Sequence, residues 1–176
     1  YSQVLADHYG ESNPEIAPYP RFIEPKDGRN SPLAKKYPLV IFVSHPKFRF
    51  HTMQENVTWL RKLHKVKGAD GHEYETVWIN SYDAVSRHIK QGDIVTVFND
   101  KGKVLAAAYV TERIKPGVVR MYYGANWQPD DPTTPGSLDR GGSANVLTSN
   151  EPASCHAYFH RVHHIMVEVR KWEEKN

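Results

Sequence analysis

Residues 45–52, with the sequence HPKFRFHT, concentrate cationic and polar side chains directly after an apolar run. Loops at strand ends often carry binding sites, because the scaffold fixes their position while their backbone N–H groups stay free. Arg49 suits phosphate oxygens through its planar fork, and Lys47 suits them as a point charge. These residue types favour an anion-binding loop. The alternative is a solvated loop whose two phenylalanines, Phe48 and Phe50, pack into the core.

A second polar cluster lies between Cys155 and His164 and contains four histidines. His156 and His160 would share one face of a helix, and zinc accepts both histidine and cysteine ligands. No carboxylate lies at ligand spacing, however, and the cluster runs directly into residues 165–169, an apolar segment typical of a strand. We therefore predict hydrogen-bonding histidines and no metal ligand. A cysteine–histidine nucleophile is not favoured either, because no third orienting group can be named. We predict no catalytic residue in this chain.

The elements that must position these loops are mostly strands. Residues 37–44 are almost entirely apolar and β-prone, which predicts a central strand. Between residues 78 and 123 the pattern predicts strand, short helix, strand, tight turn, strand, turn and strand. Ser81 is a candidate N-cap for the helix, and Gly92 is its stop signal. Residues 99–102, with the sequence NDKG, are typical of a hairpin turn.

Residues 103–110 are apolar on both faces of the predicted strand. A strand that is buried on both sides belongs inside a barrel or a sandwich. The chain is therefore predicted to be mainly β, with small helices. One of these helices is expected at residues 54–65, where Val57, Leu60 and Leu63 form one apolar stripe.

Three segments lack a sustained period. Residues 1–31 contain four prolines, and residues 1–36 are predicted to form an extended strap, with at most a short helix at residues 2–8, that leads into a β-rich domain at residues 37–176. Residues 124–142 form a long polar loop, which is typical of lids or partner contacts. Residues 141–148, with the sequence GGSANVLT, are a second candidate for close approach of the backbone to a ligand.

Composition limits the function classes. The chain has 176 residues, is 39% hydrophobic and 24% charged, and carries a formal net charge of +3. No run is long and apolar enough for a membrane span. The basic residues are scattered, and the segment 61–67 (RKLHKVK) favours a solvated helix end over a nucleic-acid patch. The chain begins with Tyr1, which suggests a processed chain or a piece of a larger protein whose targeting signal would lie upstream.

Four of these segments, in this order, resemble one family. They are the loop at 45–52 after its strand, WINSYDA at 78–84 with IKQGD at 89–93, IKPGVV at 114–119, and GGSANVLT at 141–148. They resemble the C-terminal domain of the DMSO reductase superfamily, molybdenum or tungsten enzymes that carry a bis(molybdopterin guanine dinucleotide) cofactor. The residues before the first strand are similar to the segment that leads into that domain, so the resemblance covers nearly the whole chain.

This resemblance implies a six-stranded double-psi β-barrel, the fold shared with aspartate decarboxylase. It implies that the chain is the last part of a catalytic subunit, with the remaining domains of that subunit as partners and an iron–sulfur electron-transfer subunit as a further candidate. The domain would bind and orient the cofactor, while the metal ligand and the substrate pocket lie mostly on other domains. Alone, it is expected to show no turnover.

The resemblance also implies binding roles for the first loop. His45, Arg49, His51 and Thr52 match positions that contact the pterin and the pyrophosphate. Lys47 is expected beside the phosphates.

Further roles are implied elsewhere in the chain. Asn80 and Asp83 match positions that read the guanine, since a carboxylate can accept hydrogen bonds from guanine N1–H and the 2-amino group. Asn145 matches a position near the second pterin, and His160 falls where a late loop closes over it. The loops around Arg49 and Asp83 are expected to share one rim of the barrel.

The chain departs from the family pattern at several positions. Ser81 stands where the family commonly has proline, and His88 where it has glycine. A histidine tolerates the left-handed conformation at some cost in strain, so the end of the helix is expected to differ here. An insertion at residues 68–75 and the acidic pair Asp130 and Asp131 are similar in style to the pyrogallol–phloroglucinol transhydroxylase branch.

Two other classes stay open. A self-contained barrel enzyme of the decarboxylase type would need a self-processing Gly-Ser pair, for which only residues 136–137 and 142–143 are candidates. A stand-alone binding module for an anionic ligand or a nucleic acid would use the basic segment 61–67 and the acidic loop. The residues do not define the substrate, the choice of molybdenum or tungsten, or the compartment.

Overall fold

Six β-strands of the chain close into a barrel. The computed structural model describes residues 3–10, 19, 22–152 and 165–173. Within these residues the strands are β1 (Leu39–Ser44), β2 (Val66–Lys67), β3 (Glu73–Tyr74), β4 (Thr76–Ile79), β5 (Ile94–Phe98), β6 (Lys103–Val110), β7 (Val118–Tyr122), β8 (Leu138–Asp139) and β9 (Met166–Lys171). The barrel order is β4-β7-β1-β9-β5-β6, and β6 pairs again with β4 to close the sheet. The predicted mainly β fold with a six-stranded barrel is confirmed.

Two pairs of neighbouring barrel strands are parallel, and the other four are antiparallel. The parallel pairs are β1 with β7 and β4 with β6. The hairpin of β5 and β6 pairs Phe98 with Lys103, and the backbone N–H of Asn99 donates to the carbonyl oxygen of Gly102 across the turn. The predicted NDKG hairpin is therefore confirmed. Outside the barrel, β8 pairs with the start of β6, and β2 with β3 forms a separate small hairpin.

Strand β6 is buried on both faces, as its sequence predicts. On one face Val104, Ala106 and Ala108 pack in the main core, which fills the barrel. On the other face Leu105 and Ala107 pack against the ring of Tyr74 in a smaller cluster. The β2–β3 hairpin thus covers the outside of β6, which explains why this strand is apolar or aromatic at every position after Lys103.

The helices are short. They are α1 (Gln3–Tyr9), α2 (Thr58–Arg61) and α3 (Ser81–Val85), together with 3₁₀ turns at Pro32–Lys35 and Ala144–Leu147. None of the helices in the described ranges is long or apolar enough to cross a membrane. The helix that was predicted near the start of the chain is present as α1. The division of the chain into a strap at 1–36 and a domain at 37–176 stays a prediction.

Two helix predictions need correction. The helix expected at residues 54–65 is only one turn, because Gln54 has a positive φ of 66° and the chain turns after Arg61 so that His64 and Lys65 point into a buried cluster. The N-cap of α3 is Asn80 and not Ser81, since the Asn80 side chain accepts from the backbone N–H of Tyr82.

The end of α3 also needs correction, since α3 ends at Val85 and not at the predicted stop signal, Gly92. Gly92 has the predicted positive φ, at 82°, and His88 also adopts the left-handed conformation, with a φ of 56°. The carboxylate of Asp93 accepts from the backbone N–H of Lys90 and closes the turn.

The pairing register places the two predicted cofactor loops at opposite ends of the barrel. Ser44, the last residue of β1, pairs with Tyr122 at the end of β7, whereas Ile79, the last residue of β4, pairs with Val119 near its start. Because β7 is parallel to β1 and antiparallel to β4, the chain leaves these strands in opposite directions. The expectation that the loops around Arg49 and Asp83 share one rim is therefore wrong.

Candidate functional site

Three rings meet at the end of the barrel where β1 and β7 finish. The ring of His45 lies 5.2 Å from the rings of both His51 and Tyr123, measured between centroids, and His51 lies 5.1 Å from Tyr123. His45 and His51 are both exposed. We call these three residues the ring rim. The imidazoles of the two exposed histidines offer hydrogen-bonding nitrogens, and both rings pack against the ring of Tyr123.

The rest of the first loop carries the predicted cationic and hydroxyl groups. Lys47 and Thr52 are exposed, and neither side chain has a hydrogen bond or ion pair with the described residues. Phe48 is half-buried and stacks with His64, while Phe50 is exposed. The alternative interpretation, a solvated loop with both phenylalanines in the core, is therefore right for Phe48 only, and the anion-binding interpretation stays a prediction.

Arg49 differs from its neighbours because it is buried. Its Nε and Nη2 both donate to the carbonyl oxygen of Tyr123, at 3.0 and 2.9 Å. Its Nη1 donates to Glu55 Oε2 at 2.8 Å and to Glu75 Oε1 at 2.6 Å. All three guanidinium nitrogens therefore have partners inside the chain. A direct contact between Arg49 and a phosphate stays a prediction that would require some of these bonds to be replaced.

Two more side chains complete this buried ion cluster, which we define as Arg49, Glu55, His64, Lys65 and Glu75. Lys65 Nζ contacts carboxylate oxygens of both glutamates. His64 Nε2 lies 3.0 Å from Arg49 Nη1 and 3.5 Å from Glu75 Oε1. The two glutamates balance Arg49 and Lys65 in charge.

The charges around Glu75 set its protonation. Burial on its own raises the pKa of the Glu75 carboxyl, but hydrogen bonding from His64 and Arg49, together with the charges of Arg49 and Lys65, outweighs burial and lowers the pKa below its ordinary value. Glu75 is therefore ionised at neutral pH, although its side chain is fully buried.

Donor atoms of Glu55, His64 and Glu75 also lie within 4.8 Å of one another, a spacing that a metal ion could use. Two cationic side chains already occupy the carboxylate oxygens of this group. A divalent cation would have to displace them, so the cluster does not fit a metal. The segment 155–164, which has four histidines and one cysteine, lies outside the described residues, and the predictions for it, including the role of His160, stay untested.

A buried aspartate organises the segment 141–148 at the same end of the barrel. Asp139 Oδ1 accepts from the backbone N–H groups of Gln128 and Gly141, and Oδ2 accepts from that of Ser143. A β-carbon on Gly142 would lie 2.7 Å from the β-carbon of Glu75, which explains the glycine. The segment presents Asn145 to solvent from a 3₁₀ turn. The second predicted loop thus shares its end of the barrel with the ring rim.

The opposite end carries Asn80 and Asp83. Asn80 Nδ2 donates to the carbonyl oxygen of Ile114 at 2.7 Å, and Asp83 Oδ2 accepts from the backbone N–H of Gly117 at 2.7 Å. Both side chains are buried and tie α3 to the β6–β7 loop. A groove of about 430 Å³ beside them is lined by Asn80, Ser81, Tyr82 and residues 112–116. A guanine-reading role for Asn80 and Asp83 stays a prediction, and each already holds backbone groups of this chain.

The basic segment 61–67 is not an open patch. Arg61 Nε pairs with Glu73 at 2.7 Å, and His64 and Lys65 belong to the buried ion cluster. The predicted solvated helix end is therefore wrong for His64 and Lys65, whose side chains are buried and which lie beyond the end of α2. The expected absence of a nucleic-acid partner stays a prediction.

Comparison with known proteins assigns the family. The model of the Molydopterin dinucleotide binding domain matches residues 39–163, which is more than half of the chain. The chain belongs to the molybdopterin dinucleotide-binding domain family. This match runs from β1 across both loops at the ring-rim end and includes the groove at α3.

Curated relatives place this molybdopterin dinucleotide-binding domain among enzymes of the DMSO reductase superfamily. It is 38% identical over 148 residues to the pyrogallol hydroxytransferase large subunit of Pelobacter acidigallici, which covers 82% of this chain and 17% of the relative. It is 36% identical over 173 residues to trimethylamine-N-oxide reductase 1 of Escherichia coli (strain K12), covering 98% of the chain and 20% of the relative. The domain thus spans about a fifth of the length of these relatives.

A solved structure supports the fold. Acetylene hydratase from Pelobacter acetylenicus superposes with a TM-score of 0.73 at 19% sequence identity, over 98% of this chain and 23% of that chain. At this identity the likeness concerns the fold of the molybdopterin dinucleotide-binding domain alone.

Several residues of the ring-rim end were missed by the sequence analysis. Tyr123, Glu55, Glu75 and Asp139 are the partners that hold the predicted loops, yet none stands in a recognisable motif. Glu75 offered one signal, since it is an acid directly before the β-prone residues 76–79. A buried acid at that point requires a cationic partner, but only the fold shows that the partner is Arg49.

Proposed function

We propose that this domain binds and orients a bis(molybdopterin guanine dinucleotide) cofactor as part of a catalytic subunit, and that the ring rim contacts the pterin and pyrophosphate of one dinucleotide. The observation that carries the proposal is the joint position of the ring rim, Lys47 and the segment 141–148 at one end of the barrel.

The residues present fit such a group. Exposed Lys47 and Thr52 have donors that no described residue uses, and His45 and His51 expose ring nitrogens beside them. A diphosphate needs this combination of one cation and several neutral donors. Arg49 stabilises the loop through its hydrogen bonds to the carbonyl oxygen of Tyr123. Asn145 adds an exposed amide, which can form hydrogen bonds with the polar edge of a pterin. When bound, the cofactor supplies redox chemistry at its metal, and this chain contributes binding and orientation.

The opposite end of the barrel is proposed to hold a guanine. The groove beside α3 is lined by the amide of Asn80, the carboxylate of Glu112 and the exposed aromatic ring of Tyr82. The carboxylate of Asp83 is buried in the same helix. Carboxylates can accept from guanine N1–H and the 2-amino group, and an aromatic ring can stack on the base. Since the cofactor contains two dinucleotides, binding groups at two ends of one barrel are compatible with it.

The finer classification of the barrel is also a proposal. We infer a double-psi, aspartate-decarboxylase-like barrel, because its six strands contain two separate parallel pairs, β1 with β7 and β4 with β6. The parent enzyme is proposed to be a molybdenum or tungsten oxidoreductase or hydroxyl transferase. The proposed partners of this domain are the other domains of that enzyme and, if the reaction transfers electrons out of the subunit, an iron–sulfur subunit.

The test uses the full-length protein purified with its cofactor. His45→Ala and His51→Ala should each lower the molybdopterin retained per polypeptide about tenfold after gel filtration, since each removes a proposed direct contact with the cofactor. Acid release of the nucleotide and elemental analysis then identify the base and the metal.

The matched control is His8→Ala, because His8 is an exposed histidine on α1 and belongs to none of the predicted cofactor loops. It should retain the cofactor as the parent protein does. Full retention in the two rim variants would overturn the proposal, as would the release of a nucleotide other than GMP for its guanine part.

A further inference from the structure

The buried ion cluster lies directly beneath the ring rim and is connected to it by one atom. Arg49 donates from two nitrogens to the carbonyl oxygen of Tyr123, and the ring of Tyr123 contacts both His45 and His51. Arg49 also stands between these two histidines in the sequence. The position of its guanidinium therefore affects both the loop that carries the histidines and the ring on which they pack.

Glu75 determines where that guanidinium lies. Glu75 Oε1 is 2.6 Å from Arg49 Nη1, and it immediately precedes β4, a barrel strand. Its side chain is fully buried, and the β-carbon of Glu75 packs where Gly142 leaves room for it. Glu75 is thus fixed by the barrel on one side and by the segment 141–148 on the other.

The cluster is not built for stability alone. Glu75 Oε2 and His64 Nδ1 are buried without a partner among the described residues. Unpartnered buried polar atoms cost free energy, and buried ion pairs are often no more stable than an apolar replacement. The five ionisable groups of the buried ion cluster therefore point to a role other than stabilising the fold. Buried charge pairs can hold side chains in one fixed geometry, and that is the role we assign to them.

We propose that Glu75 is a positioning residue for the cofactor: by holding Arg49, it fixes Tyr123 and thereby the spacing of His45 and His51. This inference rests on the proposed function of the ring rim. Glu75 and Arg49 do not themselves need to touch the cofactor. The insertion at residues 68–75 is then the segment that delivers this carboxylate to the rim.

The experiment compares Glu75→Gln with Glu73→Gln in the full-length protein purified with its cofactor. Glu73 lies two residues away and pairs with Arg61 at 2.7 Å, but that pair is part-exposed, with side-chain exposures of 25% and 34%. The measurements are the rate of cofactor release, the visible absorption spectrum of the retained cofactor, the thermal midpoint, and hydrogen exchange of peptides from residues 44–53 and 122–124.

Glu75→Gln should speed cofactor release about tenfold, shift the absorption spectrum of the cofactor that is retained, and raise hydrogen exchange in both peptides. The reason is that the substitution leaves the buried charge of Arg49 without one of its carboxylate partners, so that the guanidinium is no longer held in place. Glu73→Gln should change none of these. A lower thermal midpoint in Glu75→Gln with an unchanged spectrum, unchanged exchange and unchanged release would mean a structural role only and would overturn the proposal.

Two further variants keep the result decisive. If Glu75→Gln does not fold, Glu55→Gln removes the second carboxylate on Arg49 and should change release in the same direction to a smaller extent; normal release in that variant overturns the positioning role. His45→Ala separates the two proposals. Faster release in His45→Ala with normal release in Glu75→Gln defeats the positioning role alone, whereas normal release in His45→Ala defeats the proposed function of the rim.

Discussion

The carbonyl oxygen of His51 occupies the place that a side chain on Gly124 would need. A β-carbon built on Gly124 would lie 1.9 Å from that oxygen, and Gly124 has a φ of +87°. The loop that carries the exposed histidines therefore rests on the backbone at the end of β7. This contact joins two segments that are more than seventy residues apart in sequence, at the end of the barrel where the cofactor is proposed to bind.

Gly124→Ala is expected to destabilise the chain by about 3 kcal/mol, since it combines a positive φ with a clash that the backbone must relieve. Denaturant unfolding measures this loss. The matched control is Gly136→Ala, because Gly136 has a φ of +74° but nothing within 4 Å of an added β-carbon. The control should lose only about 1 kcal/mol. Equal losses at the two sites would show that the contact with His51 carries no weight.

Asp139→Asn is expected to destabilise the segment 141–148. The carboxylate accepts three backbone N–H groups, and an asparagine turns one acceptor oxygen into a donor that faces them, at a cost of about 3 kcal/mol. Hydrogen exchange at Gly141 and Ser143 should accelerate. Asp131→Asn is the control, because Asp131 also accepts from a backbone N–H but is exposed. Unchanged hydrogen exchange at Gly141 and Ser143 in the Asp139→Asn variant would contradict this prediction.

Tyr74 should titrate later than an ordinary tyrosine. Burial, together with the hydrogen bond to Asp70 Oδ2 at 2.6 Å, raises the pKa of Tyr74 from 10.0 to about 12. Because the folded pKa is the higher one, its stabilising contribution is complete below pH 10 and is lost as the pH rises from 10 to about 12. Ultraviolet absorbance of tyrosinate should show this late step.

Tyr74→Phe is the test of that assignment. It should remove the late step in the absorbance titration, while Tyr82→Phe, at an exposed tyrosine, should leave the step in place. Persistence of the late step in Tyr74→Phe would assign it to another group.

Acid should weaken the buried ion cluster through Glu75. The pKa of the Glu75 carboxyl is lowered from 4.5, so its contribution to stability is present above pH 4.5 and is lost as the pH falls through the folded value. Glu75→Gln should therefore be less stable at pH 7 and should lose less of its remaining stability below pH 4.5 than the parent chain does. Denaturant unfolding at several pH values measures how the free energy of unfolding of each protein changes with pH. If the free energy of unfolding fell equally with pH in the two proteins below pH 4.5, the assignment of this acid-sensitive contribution to Glu75 would be wrong.

The sequence by itself determined the parts of the fold that depend on neighbouring residues. The apolar run before His45, the NDKG turn, the two-faced apolar strand at 103–110 and the positive φ of Gly92 all follow from local sterics and burial, and the structure has each of them. The four motifs in their order also sufficed to indicate the family.

Only the tertiary structure decided which of these segments meet. The direction of β7 relative to β1 and β4 separates the loop of Arg49 from Asp83 and brings it instead to the segment of Asn145. Glu75 pairs with Arg49 across twenty-six residues, and nothing in the local pattern of either residue specifies the other. Strand pairing and charge neutralisation act between residues that are distant in the chain, so sequence neighbours carry no record of them.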